Sequence, residues 1–408
     1  AKRFPQTAYT GLVRSLQTEW TYLQRVVPGI DNQFGSIEEA LTKHFLPTLM
    51  ESTQEELKPL LDILRLGVSQ GGVGIPNPIE SASRNFDASK IATRDLTDSL
   101  TTRRSLNPLA YAATAAAARR DGQAERKMWE SARLDTLVKL TRPVPERRLL
   151  RAKATGAWLT TRPDRQNGTD LSADEFHDNL RLRYGLTPTN LPAHCSGCKA
   201  KFTVDHAMCC KKGGLVTHRH NDLAAEWHEL CAQAFSPSAV TDEPIIPTRR
   251  NPSTNAPITE PLPELRGDIA VHGFWRRGTT TIFDVRVTDT DAHSYRGTDP
   301  SKVLSRHEEA KKSKYLERCE QNRYSFVPLV FSIDGLRGSE ANAASKRVAA
   351  RLSAKWHRPY SQVCGYIRGR LAIALARSAS RCLRADRDPI FRTPHTPWES
   401  GSGLSLLH

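Results

Sequence analysis

Four residues within sixteen positions carry the sharpest chemistry in the sequence: Cys195, Cys198, His206 and Cys210, spaced C-x2-C-x7-H-x3-C. Thiolates and a neutral imidazole are donors that zinc accepts in a tetrahedron, and their coordination folds a loop too short to build a core of its own. Four protein ligands leave no open position, so the expected role is structural. Cys209 competes with Cys210 for the fourth place, and spacing leaves that choice open. Lys211, Lys212, His218, Arg219 and His220 follow at once and make a basic edge suited to phosphate. Of these, Lys211, Lys212, Arg219 and His220 are the expected nucleic-acid contacts.

A second constellation is acidic. Asp268 lies in Gly267-Asp268-Ile269-Ala270-Val271 and Asp284 in Ile282-Phe283-Asp284-Val285-Arg286-Val287, each a carboxylate inside an apolar strand pattern. Alternation puts Phe283, Val285 and Val287 on one face and Asp284 with Arg286 on the other. A hairpin with Trp275-Arg276-Arg277 as a three-residue loop brings Asp268 opposite Asp284. Like charges so placed need compensation, which a bound Mg²⁺ would supply. Arg286 keeps its proton and suits a phosphate clamp rather than a base. The lysines for orienting or proton transfer are Lys311 and Lys314, on related faces of one helix, and the spacing does not choose between them. Glu226 or Glu243 could supply a third metal-site carboxylate, but both are expected as solvated charges.

The elements that must position these residues give an α/β reading: strands over 268–274 and 279–287, a polar helix over 302–315, an apolar run at 326–333, then amphipathic helices over 341–356 and 361–383. Residues 236–263 are rich in Pro, Ser, Thr and Asn and read as a loop or irregular insertion. Upstream, residues 1–105 and 106–190 read as two helical regions. The first is broken at Gly71-Gly72-Val73-Gly74-Ile75-Pro76-Asn77-Pro78, a loop rather than a phosphate cradle because no Lys-Ser or Lys-Thr follows. The second contains the Ser172-Ala173-Asp174-Glu175 capping box and the basic run Arg147, Arg148, Arg151 and Lys153, read as a solvated helix face. The zinc knuckle then occupies 191–214, the α/β domain 215–385 and a disordered tail 386–408.

Lys and Arg total 59 against 44 Asp and Glu in 408 residues, a net charge of +15 that favours a polyanionic partner. No apolar run is long enough for a membrane span and no signal-peptide core opens the chain, so a membrane partner is not expected and the location reads as intracellular. Cys231, Cys319, Cys364 and Cys382 are scattered singles, read as thiols buried in helices.

The ordered string of the Cys-Cys-His-Cys cluster, Arg219-His220-Asn221, Gly267-Asp268-Ile269, Phe283-Asp284-Val285 and Lys311 to Tyr315 resembles the C-terminal region of non-LTR retrotransposon proteins that carry a restriction-like endonuclease. Leu66-Gly67 and Gly71 to Ile75 look like the helical region that follows the polymerase domain in such proteins. The resemblance implies a zinc knuckle followed by a PD-(D/E)XK-type domain, a mixed sheet with flanking helices, that nicks DNA so that a reverse transcriptase can prime on the exposed end. It implies Asp268 and Asp284 as Mg²⁺ ligands and Lys311 or Lys314 as the catalytic lysine. The implied partners are DNA, element RNA and an upstream reverse transcriptase domain, in the nucleus or elsewhere inside the cell. Gly267 stands where that family usually has Pro, Arg286 where it usually has Lys, and His206 to Cys210 is one residue shorter than usual. The Gly267 and Arg286 departures support the alternative of a nucleic-acid-binding tail that has lost catalysis. The sequence holds no Asp-Asp pair of the polymerase type, so no polymerase active site is expected in it.

Overall fold

The Asn77-Pro78 pair shows how the sequence starts its helices. Asn77 Oδ1 accepts the N–H groups of Ile79 and Glu80 at 2.9 and 3.4 Å, and Pro78 brings a fixed φ where no intrahelical donor is required. In this computed structural model, which describes residues 1–140, 146–247 and 264–388, the chain divides into two compact units. One comprises Ala1–Pro163 and Asp170–Thr189, the other Asp164–Thr169 and the chain from Asn190 onward. The boundaries expected at 105 and 214 therefore fall inside units.

The first unit is helical. Its longer elements are α1 (Gln17–Val26), α2 (Pro78–Thr102), α3 (Pro108–Leu140) and α4 (Ala173–Arg183). The capping box opens α4 as expected: Ser172 Oγ accepts the Glu175 N–H at 3.2 Å and Glu175 Oε2 accepts the Ser172 N–H at 2.8 Å. The glycine loop is a packed loop with its carbonyls occupied. Tyr184 donates its hydroxyl to Gly71 O at 2.9 Å and Tyr9 donates to Val73 O at 2.7 Å, while a Cβ at Gly72 would lie 1.9 Å from Leu66 O. The basic run is not the expected solvated face. Arg151 is buried, Arg148 donates to Leu182 O at 3.0 Å and Lys153 pairs with Asp135 at 3.6 Å, because long cationic stems that cap carbonyls pack inward.

The second unit is mixed α/β. Its elements are α5 (Val204–Cys209), α6 (Leu215–Ala234), β1 (Val240–Asp242), β2 (Ile245–Ile246), β3 (Leu265–Arg266), β4 (Ile269–His272), β5 (Thr280–Thr288), α7 (Pro300–Gln321), β6 (Ser325–Ser332), α8 (Ser339–Trp356) and α9 (Tyr360–Arg384). The main sheet runs β1-β4-β5-β6, with β1 and β4 antiparallel, β4 and β5 antiparallel, and β5 and β6 parallel. The parallel pair requires a crossover, and α7 supplies it. β2 and β3 form a separate two-stranded ribbon.

Sequence alternation dictates two unequal layers. Ile269, Val271, Phe283, Val285, Val327 and Leu329 pack one face of the sheet against Trp227 of α6, Val348 and Leu352 of α8, and Ile367 and Leu371 of α9. The opposite face holds Ala270, Ile282 and Phe326 under Tyr315 and Cys319 of α7, with the Tyr315 and Phe326 rings stacked at 5.0 Å. Asp284 shares that second face, and α7 is the element that covers it.

Two segments differ from the sequence reading. The Pro- and Ser-rich stretch contains β1, a three-residue edge strand whose pairing with β4 overrides its weak local signal, and residues 248–263 lie outside those described. The tail does not begin at 386. Arg387 is 2 % exposed and donates to Ala207 O at 3.0 Å and Cys382 O at 2.5 Å, with its guanidinium over the Phe202 ring at 5.3 Å. Residues 389–408, also expected as disordered tail, lie outside those described. No helix among the described residues is long and apolar enough to cross a membrane.

Candidate metal centre and carboxylate site

The knuckle is built from a bridge between His194 and Lys201 followed by α5, whose first turn is capped by Thr203 Oγ1 accepting the His206 N–H at 3.1 Å. The turn and the helix deliver the Cys195, Cys198, His206 and Cys210 ligand atoms to within 4.8 Å of one another. Cys195 and Cys210 sulfurs are 4.0 Å apart, and Cys198 Sγ is 3.3 Å from His206 Nε2. Soft donors in that cluster fit a metal such as zinc. Cys210 takes the fourth place, and Cys209, on the last turn of α5, is exposed. Burial opposes ionisation of Cys195, yet the N–H groups of Cys198 and Gly197 and the His206 side chain hold its thiol down at about 6, the thiolate character that metal binding needs.

The knuckle is tied to the sheet domain by side chains that sequence reading had assigned elsewhere. Arg219 is not a surface contact for nucleic acid. It is 3 % exposed and donates to Met208 O at 3.2 Å, since it points from the buried side of α6 at the end of α5. Lys211 and Lys212 are exposed. Arg387 anchors the far side of the knuckle, and a Cβ at Gly213 would lie 2.7 Å from its backbone.

The carboxylates meet where β4 begins. Ile269 pairs with Phe283, so Asp268 and Asp284 come level one residue further on, in the register that the hairpin reading gives. The connecting turn is longer than three residues, closing with Gly273 N–H to Thr279 O at 2.8 Å. Asp268 Oδ2 accepts the Val285 N–H at 2.5 Å, and its Oδ1 lies 3.2 Å from His220 Nε2. Hydrogen bonding to Asp268 holds His220 above the ordinary histidine range. His220 thus faces a carboxylate instead of the expected phosphate.

Asp284 is 3 % exposed and pairs with Lys311. The helix that brings Lys311 there starts at Asp299, whose Oδ1 accepts from Ser301 and Lys302 N–H groups at 2.9 and 3.3 Å, with Pro300 in its first turn. Four-residue spacing then sets His307, Lys311 and Tyr315 on the inward face. Lys314 falls beside that face, exposed, with Nζ donating to the Tyr315 hydroxyl at 3.1 Å. Of the two lysines, Lys311 is the one in contact with a carboxylate. Burial, then hydrogen bonding to Asp284, pushes the Tyr315 hydroxyl far above its usual range. Sequence reading passed over Tyr315 as a site residue, although its place four after Lys311 was the available signal.

The two spare glutamates do not join the site. Glu226 is half-buried on α6 rather than solvated, gripping Arg370 of α9 through Nε at 2.8 Å and a second nitrogen at 3.1 Å. Glu226→Ala leaves that guanidinium without its carboxylate and is expected to cost about 1–3 kcal/mol of stability, measured by urea unfolding. Glu243 is exposed and 3.9 Å from Arg266. Arg286 donates through Nε to Thr288 Oγ1 at 3.3 Å, on the same side of β5 as Asp284.

The structure gives a physical reason for Gly267. A Cβ there would lie 2.4 Å from Ile282 Cγ2, and the Gly267 N–H donates to Pro244 O at 3.1 Å. Gly267→Pro removes that donor and forces that contact, so it should lower stability by about 2–4 kcal/mol, read as a fall in urea midpoint at constant slope. In comparisons with protein-family models and with curated proteins, nothing matches this sequence.

Proposed function

We propose that the second unit is a divalent-metal-dependent DNA endonuclease, and that the chain is the C-terminal part of a retroelement reverse transcriptase protein. In this reading it nicks target DNA inside the nucleus, and an upstream polymerase domain primes on the exposed end with element RNA as template. The observation that carries the proposal is the β4–β5 register, which sets Asp268, just before β4, level with Asp284 of β5, with Lys311 on Asp284 and His220 beside Asp268. A mixed sheet flanked by helices, with the carboxylates at its centre and the lysine on the crossover helix, is the frame a restriction-like nuclease requires.

Two hard oxygen donors suit Mg²⁺, and both strands hold their carboxylates rigidly: Asp268 through Val285 N–H, Asp284 by burial. The Asp284 carboxylate faces the Lys311 ammonium and the Tyr315 hydroxyl, both on the crossover helix. When bound, such an ion would polarise the scissile phosphate and acidify an attacking water. Lys311 orients and stabilises the anionic oxygen formed near Asp284, and His220 holds the Asp268 carboxylate in its rotamer while able to exchange a proton. Lys211 and Lys212 give the knuckle a basic edge for phosphate, and its zinc keeps that edge folded.

A second reading, a nucleic-acid-binding tail without catalysis, is favoured by one feature: Lys311 and His220 already neutralise the two carboxylates. Nicking of supercoiled plasmid separates the readings. The parent protein with Mg²⁺ is compared with the Asp268→Ala/Asp284→Ala variant, zinc being kept in both. Metal-dependent nicking lost in the variant supports the nuclease; salt-sensitive DNA binding with no nicking supports the tail.

A further inference from the structure

The sheet, its crossover helix and the loop between them gather a second group of polar side chains that the carboxylate site leaves unused. Arg286 lies two residues beyond Asp284 on the same face of β5, and His307 lies one helical turn before Lys311 on α7. Later positions on β5 and earlier positions on α7 both approach the loop that joins them. In that loop Tyr295 places its hydroxyl 3.2 Å from His307 Nε2, with the two rings edge to face at 5.7 Å.

The charges in this corner do not balance. Lys311 is matched by Asp284, but no carboxylate among the described residues pairs with Arg286, whose contact is the Thr288 hydroxyl. Burial, then the positive charges of Arg286 and Lys311, drives His307 down to about 4, so at neutral pH the imidazole is uncharged and has one N–H to give. A guanidinium crowded against half-buried polar donors, with no carboxylate pairing it among the described residues, leaves an anion to be supplied from outside.

We infer that Arg286, His307 and Tyr295 form a second anion seat, which takes a backbone phosphate of the bound nucleic-acid strand adjacent to the one that Asp284 and Lys311 address. The inference rests on the nuclease reading for the identity of the strand. Arg286 supplies the charge and the planar donor pair; the Tyr295 hydroxyl donates to His307 Nε2 and thereby leaves the Nδ1 proton for a phosphate oxygen. The seat fixes the strand's direction across the carboxylates, so its residues act in positioning and touch no reacting atom.

Two measurements on the whole zinc-loaded chain test this. The first is binding to a 20-base-pair duplex and to its single strand, without Mg²⁺, over a range of salt. Arg286→Met should weaken binding about tenfold and reduce the log-log salt slope by the ~0.7–0.9 of one phosphate contact. His307→Gln should weaken it about threefold and leave the slope unchanged, because the ring is neutral. The second follows the His307 ring resonances by NMR, assigned by their loss in His307→Gln, as inorganic phosphate is added; they should shift in the parent and not in Arg286→Met. Circular dichroism of both variants confirms folding. Parent-like affinity and slope in both variants overturns the seat and leaves the nucleic-acid reading standing. If the parent binds no DNA, the strand reading fails, and phosphate decides the seat: shifted resonances keep it as an anion site, unmoved ones overturn it.

Discussion

Asp284→Ala is expected to reduce plasmid nicking by roughly 10²–10³-fold, the loss that follows removal of a preorganised charge at a reacting phosphate. The expectation depends on where the residue sits. Asp284 is 3 % exposed on the sheet face covered by α7, opposite Asp268 and paired with Lys311. Removing it takes away the cation ligand proposed above and also strands the Lys311 ammonium, which is 20 % exposed. The variant should therefore lose about 1–3 kcal/mol of stability, less than for a fully buried pair because Lys311 retains some water. DNA binding and nicking separate through Asp284→Asn. It keeps the shape, cannot neutralise Lys311, and should fall with the alanine variant in nicking while binding DNA as the parent does in the absence of Mg²⁺. Lys311→Met provides the complement, with nicking down about 10²-fold. If Asp284→Asn nicks at the parent rate, the carboxylate is not part of a catalytic site and the paired aspartates are structural.

The site's register was legible because a period-two pattern admits few solutions: once Phe283 and Val285 face the core, Asp284 must face away, and the hairpin count brings Asp268 level with it. The cysteine spacing was equally direct, though its Cys209–Cys210 ambiguity required the end of α5 to be seen. Other residues were opaque because their partners lie far along the chain. Arg219 in a run of basic residues looks like surface, and only the Met208 carbonyl against it reveals a buried tie. Glu226 is a solvated charge by composition until α9 brings Arg370 beside it, 144 positions later. β1 escaped detection because its order comes from pairing with β4 and not from its own three residues. His307 and Tyr295 carried no motif, and their contact depends on how the loop after β5 returns to α7.

If the cluster of three cysteines and a histidine holds zinc as proposed, loss of the metal should reach well beyond the knuckle. Binding energies on the order of 10 kcal/mol are released when thiolate sites of this type close, and the surrounding loop folds on that energy. Here the loop is also a structural partner. Arg387 reaches through it to Ala207 O, the Arg387 N–H donates to Ser196 Oγ at 2.9 Å, and Arg219 caps Met208 O from below. Cys195→Ser or Cys198→Ser is therefore expected to remove about one zinc per chain and to release the segment after α9, seen as fast hydrogen exchange at the Arg387 amide and a lower thermal midpoint. Cys209→Ser should retain the metal and exchange as the parent does, since that sulfur lies outside the cluster. Arg387→Ala tests the coupling from the opposite end. If the knuckle and the C-terminal segment stabilise each other, the variant should bind zinc more weakly, with a shift equal to the stability that zinc loses in protecting the segment. Zinc affinity unchanged in Arg387→Ala, together with unchanged exchange in Cys198→Ser, would mean that the contacts are present but carry no energy between the two ends.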